Sequence, residues 1–78
     1  MSRPSITQRF VDVYYNLVGT RKVANKKDFC QRISLNASNF SQMEKGILNC
    51  SIENVCSLIA VFNINGSWLL TGSGEMYL

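Results

Sequence analysis

Lys26–Gly46, KKDFCQRISLNASNFSQMEKG, is the stretch that decides how this chain folds. Its apolar residues recur at Phe29, Ile33, Leu35, Phe40 and Met43, where two short helices joined by a tight turn would share one inner face. The first of the pair is read over about Lys26 to Ile33, capped by Asn25 and with Asp28 favourably placed in its first turn. Phe29, Cys30 and Ile33 are its inner residues. The turn Ser34-Leu35-Asn36 has no proline, and Asn36 is expected to cap a helix over about Ala37 to Lys45. Leu35, just before that cap, and Phe40, at the fourth helical position, make a hydrophobic staple that sets the entry angle of the chain. Gly46 supplies the left-handed stop.

On the second helix of this pair, Phe40 and Met43 point inward together, while Ser38, Ser41, Gln42 and Lys45 lie roughly opposite. Short hydrogen-bonding side chains and a cation on an exposed helix suit the reading of base edges in a major groove. Gln42 is matched to adenine through two hydrogen bonds, Ser38 to several bases, and the small Ala37 to a thymine methyl. Phosphate contacts are expected from Lys26 and Lys27, at a helix start that adds its own amide donors, and from Asn36, Lys45 and Asn49. Loss of Gln42 should relax preference at one base pair, whereas loss of Lys26 should weaken all duplexes alike.

Outward from this pair, three more helices are read and no strand pattern competes. The first runs from about Ile6 to Val18, with Ser5 and Gln8 as a capping pair, a stripe of Ile6, Phe10, Val13 and Leu17, and Gly19 as its end. The fourth runs from about Ile52 to Phe62 behind a Ser51 cap, with Ile52, Val55, Cys56, Ile59 and Phe62 as its packing stripe. A short fifth lies around Ser67 to Leu70, after Asn65 and before Gly72-Ser73-Gly74. The last four residues read as extended or loosely ordered, which makes Met76, Tyr77 and Leu78 candidates for a dimer interface. Trp68 and Leu69 are expected to complete the monomer core. The abrupt apolar ending also fits a domain of a longer parent protein.

Seventy-eight residues, 46% hydrophobic and 17% charged, fit one small folded domain with a limited core. No run approaches the roughly 18 apolar residues of a membrane span, and the N-terminus lacks the apolar region of a signal peptide, so a cytoplasmic location is expected. Cys30, Cys50 and Cys56 make an odd count, and histidine is absent. Neither a disulfide framework nor a zinc site is expected; the thiols read as free and mostly buried. The net charge of +3 is asymmetric, because all eight Lys and Arg residues precede position 46 and only Glu53 and Glu75 are charged after it. The first half therefore suits a polyanion.

Lys26–Gly46 resembles the helix-turn-helix of lambda-repressor-like, Cro-type bacterial and phage regulators. The resemblance rests on Phe29, Ile33, Leu35, Phe40 and Met43, on Glu44-Lys45-Gly46, and on Ser67-Trp68-Leu69-Leu70-Thr71-Gly72, similar to the end of prophage-repressor-like domains. It implies an all-α, five-helix DNA-binding domain with its helix-turn-helix at helices two and three. It further implies base contacts at Ala37, Ser38 and Gln42, phosphate contacts at Lys26 and near Asn49, and a homodimer on an inverted-repeat operator. Cys30 stands where the family usually has alanine, and Ser34 where it favours glycine in the turn. A left-handed serine costs roughly 1 kcal/mol, which alters the turn slightly without abolishing it. The link from Gly19 to Asn25 is longer than in the shortest members, so Arg21 and Lys22 are candidates for an extra DNA backbone contact.

Nothing in the sequence assembles a nucleophile with its base, so an enzyme is not expected, nor is a cofactor, metal or small-molecule ligand. Glu44, on the flank of the buried face, is expected to make a structural hydrogen bond toward helix one. The expected function is a DNA-binding regulator of the repressor kind, and its serious rival is a protein-interaction module on the same fold, such as an antitoxin or anti-repressor. Such a module would more often carry large apolar residues at Ser38, Ser41 or Gln42.

Overall fold

A computed structural model of the chain describes residues 5–78. It is all-α: α1 (Ser5–Gly19), α2 (Lys26–Arg32), α3 (Ala37–Glu44), α4 (Ile52–Phe62) and α5 (Gly66–Thr71) follow one another, with one isolated antiparallel bridge between Ile64 and Tyr77. Among the described residues no helix is long and apolar enough to cross a membrane.

The core begins with α1. Phe10, Val13 and Leu17 are fully buried as their spacing requires, and Val11 and Thr7, outside the expected stripe, are buried with them. Around Phe10 the first four helices meet in an aromatic cluster. Its ring centroid lies 6.2 Å from both Phe29 of α2 and Phe40 of α3, and Tyr14 sits 5.1 Å from Phe29 and 5.0 Å from Phe40. Phe62 of α4 stacks on Phe29 at 5.9 Å. Tilted and edge-on pairs of this kind add stabilisation of about 0.5–1.5 kcal/mol each beyond area burial. Leu69 closes the core from α5, with Trp68 half-buried beside it.

Helix starts follow the side-chain caps. Asn25, Asn36, Ser51 and Asn65 each accept a hydrogen bond from a first-turn amide, and Asn54 completes a reciprocal capping box with Ser51. The cap read at Ser5 lies outside the described side chains; Gln8 instead donates to Asp12 Oδ1 at 2.7 Å.

Three expectations are corrected. α1 does end at Gly19, but the left-handed closure expected of that glycine lies two residues later, at Arg21 with φ 62°. Arg21 N–H then bonds Val18 O and Lys22 N–H bonds Leu17 O, at 3.1 and 2.9 Å, which satisfies two orphan carbonyls of α1. Buried Val23 pins the following link to the core.

On α4 the buried residues are Val55 and Leu58, with Ile59 and Phe62 half-buried, while Ile52 is 70% exposed and Cys56 is exposed. The helix is apolar on more than one side, and its neighbours cover only the side that includes Leu58.

The C-terminal residues are not loose. Asn65 N–H donates to Met76 O at 2.8 Å and Leu78 N–H to Asn63 O at 3.0 Å, while Tyr77 Oη donates to Asn16 Oδ1 at 2.6 Å. Met76 and Tyr77 thus pack against their own chain, which weakens their claim to a dimer interface; Leu78 remains 85% exposed. This return depends on Gly72 and Gly74, at φ 82° and 90°. A side chain at Gly72 would also meet the Arg9 guanidinium, whose Nε donates to Leu69 O at 2.7 Å and caps the carbonyl end of α5.

Candidate nucleic-acid interface

α2 and α3 are joined by a left-handed residue and a cap in immediate succession. Ser34 takes φ 55°, so that its N–H bonds Gln31 O at 3.3 Å and Leu35 N–H bonds Cys30 O at 2.8 Å. That pair closes α2 in the pattern a glycine usually supplies. Two residues on, Asn36 Oδ1 accepts from Ser38 N–H at 2.8 Å and from Asn39 N–H at 3.3 Å, which starts α3. Leu35 and Phe40 both enter the core, as a staple requires. Cys30 fits between the helices at 2% exposure, and burial pushes its thiol pKa up, so it is an inert packing residue.

α3 buries Phe40 and Met43 and leaves Ala37, Ser38, Asn39 and Gln42 exposed, with Lys45 exposed at its C-cap. Ser38, Gln42 and Lys45 stand four and three residues apart and so form one outward row. Asn39 joins the exposed set although the sequence reading passed over it. Ser41 does not stand opposite the core: it is half-buried, and its hydroxyl accepts from Lys26 Nζ at 3.3 Å.

Lys26 has a second role that sequence spacing does not reveal. Its Nζ lies 2.5 Å from Glu44 Oε1, and Tyr15 Oη of α1 donates to Glu44 Oε2 at 2.8 Å. The hydrogen bond to Glu44 is the first cause of a raised Lys26 pKa. Lys26 begins α2 and Glu44 ends α3, each the wrong sign for its helix terminus, so their pairing offsets both unfavourable dipole interactions. Glu44 therefore makes the bond toward α1 expected of it and also draws in Lys26, tying three helices together at one point.

The remaining cations divide clearly. Lys27, Lys45 and Arg21 are exposed and make no ion pair among the described residues. Lys22, a candidate for extra DNA contact, lies over the Tyr77 ring at 4.5 Å. Arg32 pairs with Asp28 at 3.0 Å; a hydrogen bond donated by the Ala24 amide N–H, then the one from Arg32, hold the Asp28 carboxyl below its ordinary pKa. Asn49 is exposed in the loop after α3, where the next residue is fixed by Thr7: Cys50 N–H donates to Thr7 Oγ1 at 3.1 Å. No group of three or more Cys, Asp or Glu that would hold a metal ion occurs among the described residues.

Comparison with protein-family models, curated proteins and solved structures finds no match to this chain.

Proposed function

We propose that this chain is a sequence-specific double-stranded DNA-binding domain of the lambda-repressor-like, Cro-type helix-turn-helix kind, acting as a repressor in the cytoplasm. The observation that carries the reading is the outward row Ser38, Gln42 and Lys45 on α3, uncharged and hydrogen-bonding over most of its length and cationic at its end. α3 is held from beneath by Phe40 and Met43, which leaves that row free to meet base edges in a major groove. Gln42 and Ser38 read bases, Ala37 meets a thymine methyl, and Asn39 extends the same surface. Lys27, Lys45 and Arg21, together with the exposed amide of Asn49, approach phosphates, while Lys26 adds its charge from within the Glu44 pair. Repression follows from occupying promoter DNA as a dimer across an inverted repeat.

The exposed large apolar side chains, Ile47, Ile52, Val61 and Leu70 among them, all lie outside α3. That distribution favours a polar ligand for α3 over the protein-interaction alternative. Selection of binding sites from random duplex DNA, followed by titration at two salt concentrations, tests the reading. An enriched inverted repeat bound far more tightly than scrambled DNA is expected, with affinity falling steeply with salt. No enrichment by a correctly folded chain would refute it.

A further inference from the structure

Lys26, Lys27, Arg32 and Lys45 are the cations of the helix pair, and each of its two carboxylates, Asp28 and Glu44, is bound to one of them. Asp28 holds Arg32 one turn along the same helix, with both side chains well exposed. Surface pairs of that kind are loosely held. Lys26 and Glu44 differ, because they stand on separate helices and the Glu44 side chain is only 18% exposed. Glu44 Oε2 accepts from Tyr15 Oη at 2.8 Å, which leaves Oε1 aimed at the lysine. Lys26 Nζ also donates to Ser41 Oγ at 3.3 Å and lies 6.0 Å from the Phe40 ring centroid. The ammonium is thus held against the flank of α3, while 38% of its side chain stays open to solvent. Its pKa is raised by the hydrogen bond to Glu44, so its charge is cancelled by a partner rather than lost.

We propose that Glu44 competes with DNA phosphate for Lys26, and so holds the sequence-independent affinity of this chain below what its cations alone would give. The proposal rests on the DNA-binding reading. Position supports it. Ser41, which shares the ammonium, stands three residues after Ser38 and four before Lys45, so Lys26 Nζ borders the outward row.

Chemistry supports it as well. A carboxylate oxygen and a phosphate oxygen ask the same thing of an ammonium, a short charge-assisted hydrogen bond. Glu44 belongs to the same chain and is already in place, so it meets the ammonium at a high effective concentration. Release of Lys26 does not strand the carboxylate, since Tyr15 remains its donor. Lys27, the next residue, is exposed and has no ion pair among the described residues, so it meets phosphate without a competitor.

Titration of a scrambled duplex at several salt concentrations tests the proposal, in wild type, Glu44→Gln, Lys26→Gln and the double variant. Each phosphate neutralised steepens the slope of log affinity against log salt by about 0.9. Glu44→Gln should bind more tightly and gain one such step, so its advantage over wild type grows about threefold between about 200 and 50 mM salt. The double variant should return to the wild-type slope, because no lysine remains to be released. Lys26→Gln alone should weaken binding and leave the slope unchanged, whereas Lys27→Gln should lower it by about 0.9. Glu53→Gln removes the same charge from α4, where no cation is paired with it among the described residues, and should leave the slope alone.

Thermal melting separates a changed charge pair from lost folding, and Glu44→Gln and Lys26→Gln each decide the question where the other fails to fold. A Glu44→Gln slope equal to wild type would overturn the proposal, as would a steepening that persists without Lys26. So would a Lys26→Gln slope lowered like that of Lys27→Gln. If the wild type binds no duplex, the DNA-binding reading falls, and elution from a heparin column decides the competition by itself. Glu44→Gln eluting at higher salt than wild type only while Lys26 is present upholds it; co-elution overturns it.

Discussion

Replacing Ser34 by glycine tests whether the joint between α2 and α3 is strained. Ser34 is exposed, sits at φ 55°, and places the two backbone hydrogen bonds that close α2. Its hydroxyl makes no hydrogen bond among the described residues, so the substitution removes little beyond the Cβ and its contacts. Holding an L-residue in the left-handed region costs about 1–2 kcal/mol. Glycine relieves that cost but gives back about 0.5–1 kcal/mol through the greater freedom of the unfolded chain. Taking the middle of each range, the net expectation is a gain of about 0.75 kcal/mol, which in a domain of this size raises the melting temperature by about 3–6 °C. Urea unfolding followed by circular dichroism measures the gain directly, and Ser34→Ala, which keeps a Cβ, should show none of it. Because the backbone already has the conformation glycine prefers, the enriched operator should be bound as tightly as before. A Ser34→Gly protein that unfolds at or below the wild-type midpoint would refute the reasoning.

Gln42→Ala should cost about 1–3 kcal/mol on the enriched site and relax preference at a single base pair; an unchanged preferred sequence in repeat selection would displace α3 as the reading helix. Lys27→Ala and Lys45→Ala should each lower the slope of log affinity against log salt by about one and weaken all duplexes alike, with urea midpoints unchanged because neither lysine has an ion pair to lose. Lys26→Ala should lower the urea midpoint as well, since it removes the cation paired with Glu44 and leaves that carboxylate at the C-terminal end of α3 without it. Asp28 has a folded pKa below its ordinary 3.8, so its contribution is complete above that value and is lost as pH falls through the lower folded one. The stability gap between wild type and Asp28→Asn should therefore narrow below about pH 4, and a gap that widens there would contradict the sign.

The parts of this fold that sequence reveals are those decided within a few residues. Asn25, Asn36 and Ser51 were legible as caps because each satisfies an amide two or three positions away. Left-handed closures are harder to see. Three helices end in the same pair of backbone bonds, at Arg21, Ser34 and Gly46, and only Gly46 announces itself by composition. α1 does end at Gly19, yet the left-handed residue that closes it is Arg21, which composition does not mark. The facing of α4 was misread for a different reason: with apolar residues on several sides, periodicity does not choose between Cys56 and Leu58. Long-range pairs leave no local trace. Lys26 meets Glu44, and Tyr77 meets Asn16, only because the helices bring them together.

α3 has eight residues, well below the about 12–15 at which an isolated helix is even marginal in water. Its shape must come from its surroundings, and the structure supplies support at both ends and beneath. Asn36 satisfies the first amides, Phe40 and Met43 anchor the middle in the aromatic core, and Glu44, gripped by Lys26 and Tyr15, fixes the far end to α2 and α1. None of these residues lies on the outward row. Ser38 and Gln42 are therefore relieved of structural duty, and changing them alters what the helix presents without altering where the helix sits. Lys26, expected from sequence to meet phosphate, is the exception, since its ammonium is engaged in the tie to Glu44 and Ser41. On the DNA-binding proposal, such a surface would separate specificity from stability: substitutions at Ser38 and Gln42 would change the bases read, while the angle at which the helix is offered stays with Asn36, Ser34 and Glu44.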